Sequence, residues 1–157
     1  MGSRSSVTAL LEGLAREPIV ADVRSQVIEL HASPTSLRLA PGSTVLHRAV
    51  VLKGRTSGRP FVYARSAIAA DRLPERIRWQ LEHTEHPIGR ILETSGISTQ
   101  RSAVGLPLRP WRFTDFPEGG LDDAVLARRY VIAIEGQPVF DICEWFLAAS
   151  AAAMEGR

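Results

Sequence analysis

The stretch that decides the fold is Pro138-Val139-Phe140-Asp141-Ile142-Cys143-Glu144-Trp145-Phe146-Leu147. In an extended strand, side chains two positions apart share a face, so Phe140, Ile142, Glu144 and Phe146 point the same way. That face is apolar except for one carboxylate. Removing a carboxylate from water costs several kcal/mol unless a partner compensates, and the proton is then held more tightly. Glu144 therefore predicts a second polar side chain placed inward on a neighbouring strand.

Two earlier stretches offer one. Along Thr44 to Leu52, alternation sets Arg48 with Leu46, Val50 and Leu52; along Phe61 to Ala67, it sets Arg65 with Phe61, Tyr63 and Ala67. A guanidinium stays charged in a protein interior, and its planar fork of donors matches a carboxylate. An ordinary salt bridge inside the core accounts for any one of these residues. Two inward cations with one inward anion leave a positive charge, and that set points to a hollow with an anionic ligand.

Working outward, Thr44–Lys53 and Pro60–Ile68 read as an antiparallel hairpin across Gly54-Arg55-Thr56-Ser57-Gly58, with Arg48 and Arg65 close together on paired strands. A second hairpin joins Arg128–Glu135 to Pro138–Leu147 through a tight turn at Gly136-Gln137. Ile19 to Leu30 and Ile97 to Val104 read as further strands, and a short piece, Leu37 to Leu39, lies between Ser33-Pro34 and Pro41-Gly42. Val7, Leu10, Leu11 and Leu14 have helical spacing behind Ser5-Ser6 and stop at Pro18. Leu73, Ile77 and Leu81 mark a helix beginning at Pro74; Ile88, Ile91 and Leu92 mark another that follows His86-Pro87 and ends near Gly96. The free N–H groups at the start of that last helix, around Ile88 and Gly89, can hold a carboxylate, although a solvated helix end reads the same way. The segment Gly105 to Asp123, rich in Pro and Gly, is long for a connection and reads as a lid or a surface excursion. The tail Ala148 to Arg157 is expected to be weakly ordered.

Composition narrows the function classes. A chain of 157 residues fits a single domain over 1–157 with a substantial core. Its 19 basic and 17 acidic side chains give a net charge of +2, and the basic residues, Lys53 being the only lysine, are spread along the chain. Nothing resembles a nucleic-acid stripe or a membrane-surface helix, so the expected partner is a small molecule. One cysteine, Cys143, excludes an intrachain disulfide and any cysteine metal cage. No apolar run reaches the length of a membrane span and no signal peptide is evident, which predicts a cytoplasmic protein.

Competing sites are weaker. Glu82-His83-Thr84-Glu85-His86 has metal-capable side chains, but Pro87 interrupts the helix that would align them, so no metal is expected. His47 falls on the face opposite Arg48, Cys143 points away from Glu144, and Ser66 has no histidine and acid beside it in sequence pattern, so no triad is assigned.

From Val7 to Leu147 the chain resembles the chorismate lyase family, the chorismate pyruvate-lyases or 4-hydroxybenzoate synthases. The landmarks are Ser6-Val7-Thr8, His47-Arg48-Ala49-Val50-Val51-Leu52, Ala64-Arg65-Ser66, His86-Pro87-Ile88-Gly89-Arg90-Ile91-Leu92 and Gly136-Gln137-Pro138 leading to Glu144-Trp145-Phe146-Leu147. The resemblance implies an α+β fold, a six-stranded antiparallel sheet with helices packed around it and an internal ligand cavity. It also implies a lyase that converts chorismate to 4-hydroxybenzoate and pyruvate without a cofactor. By that resemblance Arg48 and the Ile88 backbone hold the ring carboxylate, Glu144 and the backbone near Val7 face the 4-hydroxyl end, and Arg65 steadies the enolpyruvyl carboxylate. The catalytic pair is then Glu144 and Arg48. The chain departs from the family in a short N-terminus, a long segment around Trp111 and a tail lacking the usual proline. The other function class to weigh is a non-catalytic sensing or carrier domain of the same fold, which would bind an aromatic acid and release no pyruvate.

Overall fold

The structure, a computed structural model, describes residues 7–30, 35–105 and 124–147. Three helices and six strands follow in order: α1 (Val7–Ala15), β1 (Ile19–Glu29), β2 (Val45–Gly54), β3 (Pro60–Ala69), α2 (Glu75–His83), α3 (Ile88–Ser95), β4 (Thr99–Ala103), β5 (Ala124–Ile134) and β6 (Gln137–Leu147). Short 3-10 turns occupy Thr35–Leu37 and Ala70–Arg72. Local chemistry accounts for the boundaries. Pro74 and Pro87 sit one residue ahead of α2 and α3, where the missing N–H is no loss. Gly96 ends α3 in the left-handed conformation at φ 75°.

All strand pairs are antiparallel, and the sheet order is β1-β2-β3-β6-β5-β4. The expected six-stranded antiparallel sheet is the observed one. The β5–β6 turn is centred one residue earlier than predicted. Glu135 and Gly136 both have positive φ, 52° and 81°, and Ile134 pairs with Gln137, the geometry of a two-residue turn that follows the twist of its strands.

Two one-residue irregularities set the faces. Between β2 and β3 the register changes after Lys53↔Pro60 to Leu52↔Val62, which places Arg48 opposite Ser66 and Ala49 opposite Arg65. Without that shift, Arg48 and Arg65 would be partners. Between β5 and β6 it changes from Ala133↔Pro138 to Ile132↔Phe140, which places Arg128, instead of Ala127, opposite Glu144. A slip of one residue exchanges the faces of everything beyond it. Arg65 consequently lies on the face of Ala49, Tyr63 and Cys143, away from Arg48. The expectation that Arg65 lines the same hollow as Arg48 and Glu144 is therefore corrected.

The helices pack on the Arg48 face. Ile77 and Leu81 of α2 and Ile91 and Leu92 of α3 meet Ile68, Ile132, Phe140 and Ile142 of the sheet, and Leu11 of α1 packs with Val50, Ala64 and Phe146. Each fully buried aliphatic chain of this kind stabilises the fold by about 1.5–3 kcal/mol. The opposite face buries Ala49, Val51, Tyr63, Cys143, Trp145 and Leu147. The cap at Ser5-Ser6, the segment from 106 to 123 and the tail from 148 to 157 lie outside the described residues.

Candidate functional site

Register turns the helix-covered face into a grid. One cross-strand row reads Arg48, Ser66, Ile142, Tyr130, and the next reads Val50, Ala64, Glu144, Arg128. Arg48 and Glu144 are thus two strands and two residues apart, roughly 12 Å between their Cα atoms by ordinary strand spacing and rise. Both side chains point off the same face and line one hollow.

Arg48 is 2% exposed. Its Nε and Nη2 have no hydrogen-bond partner among the described residues. Burial lowers its pKa to about 10, so it remains a cation at neutral pH. A charged fork with unmet donors, surrounded by Val50, Leu52, Ala64 and Ile142, is a costly feature that an incoming carboxylate would satisfy.

Glu144 is buried as well, but it is paired. Arg128 donates from Nε to one carboxylate oxygen at 2.6 Å, and the Tyr130 hydroxyl donates to the other at 3.1 Å. The Arg128 guanidinium lies 4.7 Å from the centre of the Tyr130 ring, and that of Arg101 lies 5.4 Å from it. Burial works against charge on Arg128, yet the adjacent Glu144 carboxylate outweighs it and the pKa is raised. Burial first, then the charge of Glu144, lifts the Tyr130 phenol well above its ordinary range, so it stays a neutral donor.

Helices close the hollow from above. Thr8 of α1 and Pro87, Ile88 and Gly89 at the start of α3 line it. The first backbone bond of α3 runs from the Ile91 N–H to the Pro87 carbonyl, leaving the N–H groups of the first turn without an intrahelical acceptor. Glu12 ties this roof together: it accepts from Arg90 of α3 and, at 2.7 Å, from the Ile19 backbone N–H. The Ala21 N–H donates to the Glu85 carbonyl at 2.8 Å, anchoring the approach to α3 on β1. The hollow measures about 40 Å³, room for water but not for a ring, so a ring enters only when its lining moves outward.

The sequence matches the family described as chorismate pyruvate-lyase Rv2949c-like over residues 1–153. The chain belongs to this family. A chorismate pyruvate-lyase from Mycobacterium leprae is 33% identical over 150 residues, covering 94% of this chain and 71% of the relative. One from Mycobacterium tuberculosis H37Rv is 38% identical over 106 residues, covering 66% of this chain and 53% of the relative. The fold recurs in regulators with little sequence in common. A GntR-family transcriptional regulator from Bacillus cereus aligns with TM-score 0.56 at 11% identity, over 84% of this chain and 93% of that one. The C-terminal domain of the histidine utilization repressor from Pseudomonas syringae aligns with TM-score 0.57 at 14% identity and the same coverage.

Of the positions that the chorismate pyruvate-lyase resemblance picked out, the structure brings Arg48, Glu144 and Ile88 to one hollow and leaves Arg65 on the far side of the sheet. Val7 begins α1, and the next residue, Thr8, lines the same hollow. Arg101, Arg128 and Tyr130 were missed. The irregularity beside Val139 moves Arg128 into the position opposite Glu144 that Ala127 would otherwise hold. The Glu82–His86 segment has a structural use: Thr84 Oγ1 and His83 Nδ1 bond back to the carbonyls of Gln80 and Trp79, finishing α2. Among the described residues no helix is long and apolar enough to cross a membrane.

Proposed function

We propose that this chain is a lyase that converts chorismate to 4-hydroxybenzoate and pyruvate. The observation that carries the reading is the buried, unpartnered Arg48 fork facing a hydrogen-bonded carboxylate across one hollow, in a chain of this family. Arg48 and the Ile88 N–H take the ring carboxylate. Glu144, with the backbone near Val7, takes the hydroxyl end of the ring.

In the reaction the bond between the ring and the enolpyruvyl oxygen breaks, a ring carbon gives up a proton as the ring becomes aromatic, and the fragment leaves as pyruvate with one proton gained. The gain of aromaticity drives the step. The protein's task is to hold one reactive conformer and to complement charge as it shifts towards the leaving group. Fixing the carboxylate at Arg48 sets the ring, and Glu144, itself fixed by Arg128 and Tyr130, sets its rotation. The setting we assign is the cytoplasm, where a buried cysteine outside any disulfide, such as Cys143, is the ordinary state.

Purified protein incubated with chorismate should release pyruvate and 4-hydroxybenzoate in equal amounts, and Glu144→Gln should slow this by at least about tenfold. No pyruvate above the uncatalysed background would leave a binding domain of the same fold and end the lyase reading.

A further inference from the structure

We propose that Arg101, in the lining of the hollow, and Arg128, bonded to the lining residue Glu144, form a second carboxylate-binding subsite that takes the carboxylate carried on the substrate's ether arm. The proposal rests on the lyase reading and supplies the grip that Arg65, on the other face, does not provide.

Four observations support it. First, Arg101 is exposed and still lines the hollow, and the Arg128 side chain is 41% exposed, whereas Arg48 is 2% exposed. The cations therefore mark a deep end and an open end. Second, Arg128 reaches the Glu144 carboxylate through its Nε, at the base of the guanidinium, and so is anchored to a residue that lines the hollow. Third, the guanidiniums of Arg101 and Arg128 lie 5.4 and 4.7 Å from the centre of the Tyr130 ring, itself part of the lining, so one ring holds two like charges.

The fourth is charge. Arg48, Arg101 and Glu144 line the hollow and Arg128 pairs with Glu144 beside it, which gives 3 − 1 = +2, with Tyr130 neutral. A monoanionic aromatic acid balances half of that, and a dianion balances all of it. Arg48 stands at the buried end, in a row with Ser66 and Ile142. Once the ring carboxylate is on Arg48, a second carboxylate has only the Arg101–Arg128 end to occupy. Cleavage then leaves pyruvate at the mouth and the aromatic product inside.

The test compares two stable ligands by calorimetry: 4-hydroxybenzoate, a monoanion, and 3-(carboxymethoxy)-4-hydroxybenzoate, a dianion with the second carboxylate on an ether arm. The unmutated protein should prefer the dianion by about tenfold. Arg101→Gln should weaken the dianion about fivefold and leave the monoanion within twofold, and Arg101→Lys should recover most of the loss, as expected for a half-exposed charge pair. With chorismate, Arg101→Gln should raise KM by a similar factor and leave kcat within twofold. Arg128→Gln should affect both ligands, because it also releases Glu144. Equal weakening of both ligands by Arg101→Gln, or no weakening of either, overturns the subsite. The lyase reading fails separately: a dianion preference without pyruvate release from chorismate keeps the subsite and removes the reaction.

Discussion

Strand β6 carries a buried acid on each face, and the two are treated differently. Asp141, 4% exposed, accepts from Arg129 Nε at 3.0 Å and Nη2 at 2.6 Å and from the Ser36 hydroxyl, so acid, base and hydroxyl are all engaged. Those bonds raise the pKa of Arg129. Three residues on, Glu144 is likewise paired, but the face it shares contains Arg48, whose donors have no partner among the described residues. A closed ion pair specifies a structure. An unmet guanidinium beside a hollow leaves a place for an anion.

The largest consequence falls on ligand binding. Replacing Arg48 by Met removes the deep cation while keeping its bulk, and should weaken 4-hydroxybenzoate by on the order of a hundredfold or more. The same change should stabilise the unliganded fold by about 1 kcal/mol, since an unpaired buried charge is removed. Opposite signs in affinity and melting temperature are the mark of a site residue. Asp141→Ala should do the reverse: a loss of about 3 kcal/mol with Arg129 left unpaired, a fall of roughly 6–12 °C in melting temperature, and 4-hydroxybenzoate affinity within twofold. If Asp141→Ala cost affinity and Arg48→Met cost stability, the two faces would have been assigned backwards.

A smaller effect concerns Tyr130. Its pKa in the fold is raised above the ordinary 10.0 by burial and by Glu144, so the folded chain holds this proton more tightly than the unfolded one. The stability it contributes is present below pH 10 and is lost as pH rises beyond that value. Denaturant titrations at pH 9 and at pH 11 should show a smaller decline for Tyr130→Phe than for the unmutated chain. The smallest expected effect is that of Arg65→Gln: on the far face of the sheet, it should change KM for chorismate by less than about twofold. A large rise in KM would restore Arg65 to the substrate and disprove the register argument.

The parts of the fold that were legible in the sequence are those governed by local rules. Period-two alternation marks β1, β2, β3 and β6, four of the five long strands, and Pro74, Pro87 and Gly96 mark helix ends that the structure keeps to within a residue. Arg48 and Glu144 were legible because each interrupts an apolar face that is itself unmistakable. Arg65 was misread and Arg128 was missed for one shared reason. Two register shifts, at Lys53↔Pro60 and at Ala133↔Pro138, decide which residue of a pair faces inward, and nothing in the composition of either hairpin announces them. Arg101 was hidden because β4 is short and mostly exposed, with no apolar face to make an arginine conspicuous.

A crystal structure with 4-hydroxybenzoate bound would test the central assignment most directly. The ligand should sit between α3 and the sheet, its carboxylate within hydrogen-bonding distance of the Arg48 guanidinium and the Ile88 N–H and its hydroxyl towards Glu144. A ring bound in the reverse sense, or one seated on the Asp141 face with Arg48 still unpartnered, would contradict it.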